Sequence, residues 1–151
     1  MTANPIVRTI TGEAKLILRS QMADLALVPP WIESLAAEYE ISASTQFALN
    51  LCLEEVLINI IRHGYAGRAD RPIVIRYIYI AHESKSSVWV VDDEAPPFDP
   101  LAAESLPVEE TLDGTRLGGL GIRLLRSFAA TLKYEATPLG NRLIIGFAAA
   151  A

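Results

Sequence analysis

The chain has 151 residues, a net charge of −5 and 51% hydrophobic against 21% charged residues, enough for one domain spanning 1–151 with a substantial core. That balance excludes a disordered chain, and the acidic surplus argues against a general basic field, so direct nucleic-acid binding is not expected. A lone Cys52 excludes a disulfide framework or multi-cysteine zinc site, and without a leader-like start or a run of about 18 apolar residues, a cytoplasmic protein with no membrane partner is expected.

In chain order, residues 6–13 (IVRTITGE) alternate β-branched residues and predict a first strand, while residues 14–27 fit strand and helix equally well. Pro29-Pro30 punctuates and opens a helix over 30–40. A Ser or Thr cap then starts a long helix that ends at Gly64. Residues 71–84 and 86–94 are two β-rich runs joined by a polar turn, the pattern of an antiparallel hairpin. Residues 95–121 hold prolines, acids and glycines without a period, as expected of a long functional loop or lid. A helix (IRLLRSFAATL) follows, then strands KYEAT and NRLIIGF joined through Pro138-Leu139-Gly140. The fold class is α+β: a two-layer sandwich with helices on one face of a mixed, mostly antiparallel sheet.

Three segments carry chemistry. In the long helix, Glu55, Asn59 and His63 recur every four residues and share one stripe, beside an apolar face of Leu53, Val56, Leu57, Ile60 and Ile61. Such a stripe is either a solvated flank or a pocket wall, because burying an unpaired amide costs roughly 2–7 kcal/mol. The run VVDDEAPPFDP ends an apolar strand in Asp92, Asp93 and Glu94; the acids are either a solubilising cap or an acceptor for a ligand amine or metal. In RLGGLGIRLLR, Gly118, Gly119 and Gly121 precede a helix. They are either an ordinary glycine turn or backbone donors for an anion.

The order of these segments resembles the GHKL (Bergerat-fold) ATPases, and within them the anti-sigma factor serine/threonine kinases. Glu55, Asn59, His63 and Tyr65 match that family's Glu-x-x-x-Asn-x-x-x-His-x-Tyr box, Asp93 with PPFDP its Asp-x-Gly-x-x-Phe region, and GGLG its second glycine box. The resemblance covers about residues 43–147. It implies ATP and Mg²⁺ as cofactors, Asn59 as the metal ligand and Glu55 as the catalytic base. Asp93 is then the acceptor for the adenine amine, and the 118–121 backbone, including Leu120, covers the phosphates. Ala95, Phe98 and His63 are implied to lie beside the nucleotide, with Arg116 a candidate for the γ-phosphate.

Three positions depart from the family pattern. Ala95 replaces a glycine, and its methyl is expected to crowd the base or alter the backbone angle. Leu117 separates Arg116 from the glycine box, and Asn141 stands after Gly140 where relatives often carry threonine. The implied function is a protein serine/threonine kinase that acts on an anti-sigma-factor antagonist and also binds a sigma factor, as a homodimer. The alternatives are a non-catalytic GHKL nucleotide- or protein-binding module and an ATPase without a protein acceptor.

Overall fold

The computed structural model describes residues 10–80, 86–102 and 120–147. Strand β1 (Ile10–Arg19) leads through a 3-10 turn (Met22–Leu27) into α1 (Val28–Tyr39) and α2 (Ala43–Asn59), which runs on into a π turn (Ile60–Gly64). Strands β2 (Pro72–Ile80) and β3 (Ser86–Asp93), helix α3 (Leu120–Phe128) and strands β4 (Thr131–Ala136) and β5 (Asn141–Phe147) complete the order. The sheet runs β1-β2-β3-β5-β4. The expected layout of helices against a mostly antiparallel sheet is what forms, but it is not mixed: every pairing among the described strands is antiparallel.

Strand alternation builds the core. Ile73, Ile75, Tyr77, Trp89, Val91, Leu143, Ile145 and Phe147 point inward and pack with Ile32 and Leu35 of α1 and Leu49, Leu53, Val56 and Leu57 of α2. Burying a side chain of this size contributes about 1.5–3 kcal/mol, so these residues dominate the stability of the two layers. Aromatic rings fill the middle. Tyr77 and Trp89 lie 4.6 Å apart by centroid, and Trp31 meets Trp89 edge-on at 5.7 Å.

Local chemistry sets the element ends. The Ser42 hydroxyl accepts from the Thr45 N–H at 3.3 Å and caps α2. Pro29 sits in the first turn of α1, where a missing N–H costs nothing. The ambiguous stretch 14–27 divides: residues up to Arg19 pair with β2, and the remainder turns. The expected helix through Leu132 stops at Phe128, because Thr131 and Leu132 pair with Gly146 and Ile145 as the start of β4. Cys52 is fully buried, and burial together with the charge of Glu55 pushes its thiol up to about 12, which makes it a structural group.

Candidate functional site

Asp93 and Asn141 are directly opposite each other in the β3–β5 register, both on the helix-facing side of the sheet. The buried Asp93 carboxylate accepts through Oδ1 from the Asn141 amide at 2.9 Å and from the Ala95 N–H at 2.8 Å. Among the described residues no donor reaches its other oxygen, Oδ2. Asp93 is 7% exposed, and among the described residues no cation pairs with it. Burial pushes its carboxyl up, against the lowering effect of the Asn141 and Ala95 hydrogen bonds, with the neighbouring Asp92 charge adding to the rise.

Asn141 also organises the chain that leaves β3. Its amide nitrogen donates to the carbonyls of Ala95 and Pro96, each at 3.1 Å, and its Oδ1 accepts from the Phe98 N–H at 2.9 Å and from the Tyr134 hydroxyl. Gly140 permits this approach, since a Cβ there would fall 2.2 Å from the Asp93 carbonyl oxygen. Asn141 thus ties Asp93 to the segment that leaves β3.

The opposite wall comes from the end of α2. Asn59 is its last residue, half-buried, and the chain then widens into the π turn, in which the Tyr65 N–H reaches back to the Ile60 carbonyl at 2.8 Å. Such turns recur at functional sites because they redirect side chains without ending the helix. Tyr65 is 5% exposed and clamps the two walls together: its hydroxyl donates to the Pro72 carbonyl at 2.6 Å and accepts from the Glu94 N–H at 2.7 Å. Burial raises this phenol, so it stays a neutral donor and acceptor.

Between the walls lies a narrow cleft with a cavity volume of about 30 Å³ that opens into about 430 Å³ of space shared with solvent, with Val56, Asn59 and Ile60 on one side and Val91, Asp93 and Leu143 on the other. Gly64, Ala95, Pro96, Phe98, Pro100 and Tyr134 complete its lining. Most of these groups are apolar, with a few polar atoms converging, the usual make-up of a small-molecule site.

The structure therefore brings together Asn59, Asp93, Ala95 and Phe98 from the expected set. Glu55 is half-buried one turn before Asn59, outside the cleft lining. His63 is exposed on the π turn and is likewise not part of the lining, since the widened turn moves it off the helix stripe. Leu120 and Gly121 open α3, while Arg116, Gly118 and Gly119 lie outside the described residues. Ala95 keeps an ordinary backbone angle, so the expected backbone distortion does not occur. Its methyl lines the cleft and faces Gly64. Among the described residues no group of three or more acidic, histidine or cysteine side chains could hold a metal, and no helix is long and apolar enough to cross a membrane. A Mg²⁺ ion fits this donor set only as a partner of Asn59 whose remaining positions go to phosphate oxygens and water.

An antiparallel sheet layered with helices thus sets an acid at a strand end and a helix-borne asparagine in the lining of one mostly apolar cleft. The chain belongs to the histidine kinase-like ATPase domain family, whose pattern matches residues 18–147. It is 32% identical over 115 residues to the serine/threonine-protein kinase BtrW of Bordetella bronchiseptica strain ATCC BAA-588 / NCTC 13252 / RB50, covering 76% of this chain and 79% of that protein. Among solved structures it matches the histidine kinase domain of the Erythrobacter litoralis EL346 blue-light activated histidine kinase at 18% identity and a TM-score of 0.47, over 83% of this chain and 59% of that one.

Proposed function

We propose that this chain is an anti-sigma regulatory protein that binds Mg·ATP and phosphorylates a serine or threonine of an anti-sigma-factor antagonist. It then exchanges that partner for a sigma factor, acting in the cytoplasm as a homodimer. The observation that carries the reading is Asn59 and Asp93 lining one apolar-walled cleft, in a chain similar to a protein named a serine/threonine kinase.

In this reading the base amine donates to Asp93 Oδ2, and the rings lie among Val56, Val91, Phe98 and Leu143. Asn59 supplies an amide oxygen to Mg²⁺, which when bound neutralises charge on the phosphate oxygens. The substrate hydroxyl oxygen forms a bond to the γ-phosphorus as the bond to the ADP oxygen breaks, and the hydroxyl proton passes to the Glu55 carboxylate. The glycines at 118, 119 and 121 cover the phosphates, with Arg116 reaching the γ-phosphate.

Labelled ATP, Mg²⁺ and candidate antagonists supply the test. Wild type should transfer label to one antagonist, and Glu55→Ala should keep nucleotide affinity while transfer falls about 10²–10⁴-fold. Tight antagonist binding with no transfer by wild type would remove the kinase reading. It would leave the non-catalytic module, which the position of Glu55 outside the cleft lining favours. Release of free phosphate without an acceptor would instead mark a plain ATPase.

A further inference from the structure

We propose that Gly64 and Ala95 form a size-matched pair that sets the spacing of the cleft walls, making Gly64 a specificity-determining residue for the nucleotide. The inference rests on the ATP reading and refines it.

The two residues sit on opposite walls, one at the end of the π turn and one just past β3, and both line the cleft. A Cβ added at Gly64 would lie 2.9 Å from the Ala95 Cβ, well inside the roughly 3.5–4.0 Å at which carbons pack. The next atom it would meet is Ile60 Cγ2 at 3.9 Å, an ordinary contact. Among the described residues the conflict is therefore with Ala95 alone.

Neither residue can easily step aside. Ala95 is 3% exposed, with its N–H given to Asp93 and its carbonyl taken by Asn141. Moving it moves the carboxylate that reads the base. On the other wall, Gly64 precedes Tyr65, whose hydroxyl holds the Glu94 N–H at 2.7 Å, one residue before Ala95. The walls are thus bonded next door to the place where they touch. An extra methyl at 64 must stretch that bond or shift Asp93 relative to Asn59, whereas a methyl transferred from 95 to 64 leaves the total volume unchanged.

The test is a double-mutant cycle of wild type, Gly64→Ala, Ala95→Gly and the double variant, read by Tm without ligand and by calorimetric Kd for ADP and ATP with Mg²⁺. Gly64→Ala should weaken nucleotide binding about tenfold or more and lower Tm, as one-methyl overpacking does. Ala95→Gly should cost about threefold, and the double variant should return to within about threefold of wild type in Kd with most of Tm restored. If Gly64→Ala is too unstable to purify, a stable double variant that binds nucleotide is itself the rescue.

A double variant no better than Gly64→Ala in both readouts overturns the pairing. Rescue of Tm without rescue of Kd shows packing alone and overturns the specificity role. If wild type binds no nucleotide, the ATP reading falls and the specificity role with it, while Tm coupling still decides whether the two residues are matched.

Discussion

Asp92 and Asp93 are neighbours in sequence and end on opposite sides of the sheet, with opposite electrostatic treatment. Asp92 faces outward, 25% exposed, and is neutralised twice: Arg142 Nε binds Oδ1 at 2.7 Å and Arg76 binds Oδ2 at 3.2 Å. Arg142 is its direct cross-strand partner in β5. Asp93 faces inward and, among the described residues, is held only by neutral donors, one of them from Asn141, the residue before Arg142. A carboxylate that already owns cations has little left to offer a ligand, whereas a buried one with an open oxygen gains most when a donor arrives. The alternation of one strand thus separates an ion-paired acid from one that lines the cleft.

The largest break in this contrast comes from Asn141→Ala. It leaves Asp93 with one donor and strands the Phe98 N–H, the Tyr134 hydroxyl and two carbonyls. Denaturant unfolding should show a loss of about 3 kcal/mol, with nucleotide affinity falling at least tenfold. Tyr65→Phe should come next. It removes the partner of the Glu94 N–H and of the Pro72 carbonyl while keeping the ring, so the same measurement should give a loss of about 1–3 kcal/mol.

Protonation gives a smaller and more selective effect. The Asp93 carboxyl is raised above the ordinary 3.8, so the folded state takes up its proton at higher pH than the unfolded chain does. Its buried charge therefore costs stability above the folded pKa, and that cost is relieved as pH falls through it. Nucleotide affinity should move the other way, because the base amine needs the carboxylate. Calorimetric titrations at descending pH should show affinity falling before ordinary exposed carboxylates titrate, and Asp93→Asn should remove that pH dependence.

Much of this was legible in the sequence where residue patterns have one physical meaning. The β-rich run over 71–84 and the Ser or Thr cap predicted their elements because few other structures satisfy them, and the described strand is Pro72–Ile80 and the cap Ser42. Helical spacing put Asn59 on a polar stripe that was either a solvated flank or a pocket wall, and the family resemblance chose it and Asp93 for the site. Residue pattern alone did not separate Asp92 from Asp93, because Val90 and Val91 are both buried, which erases the alternation leading up to them. The role of Asn141 was not legible, since its work is done across the fold, with residues 43 to 48 positions away. The π turn has no sequence signature, so the stripe was extended to His63 when the helix actually widens after Asn59. The run from Ala14 to Arg19 fits both periods, and only its pairing with β2 decides for strand.

The central claim is that Asp93, and not its neighbour, reads a nucleotide base in this cleft. Isothermal titration of ADP with Mg²⁺ into wild type, Asp93→Asn and Asp92→Asn at neutral pH tests it most directly. Asp93→Asn should lose about 10–100-fold in affinity with Tm unchanged or raised, since a buried charge is removed. Asp92→Asn should lose no more than about 1 kcal/mol of stability and bind as wild type does. Equal affinities for wild type and Asp93→Asn, or loss in Asp92→Asn alone, would contradict the account.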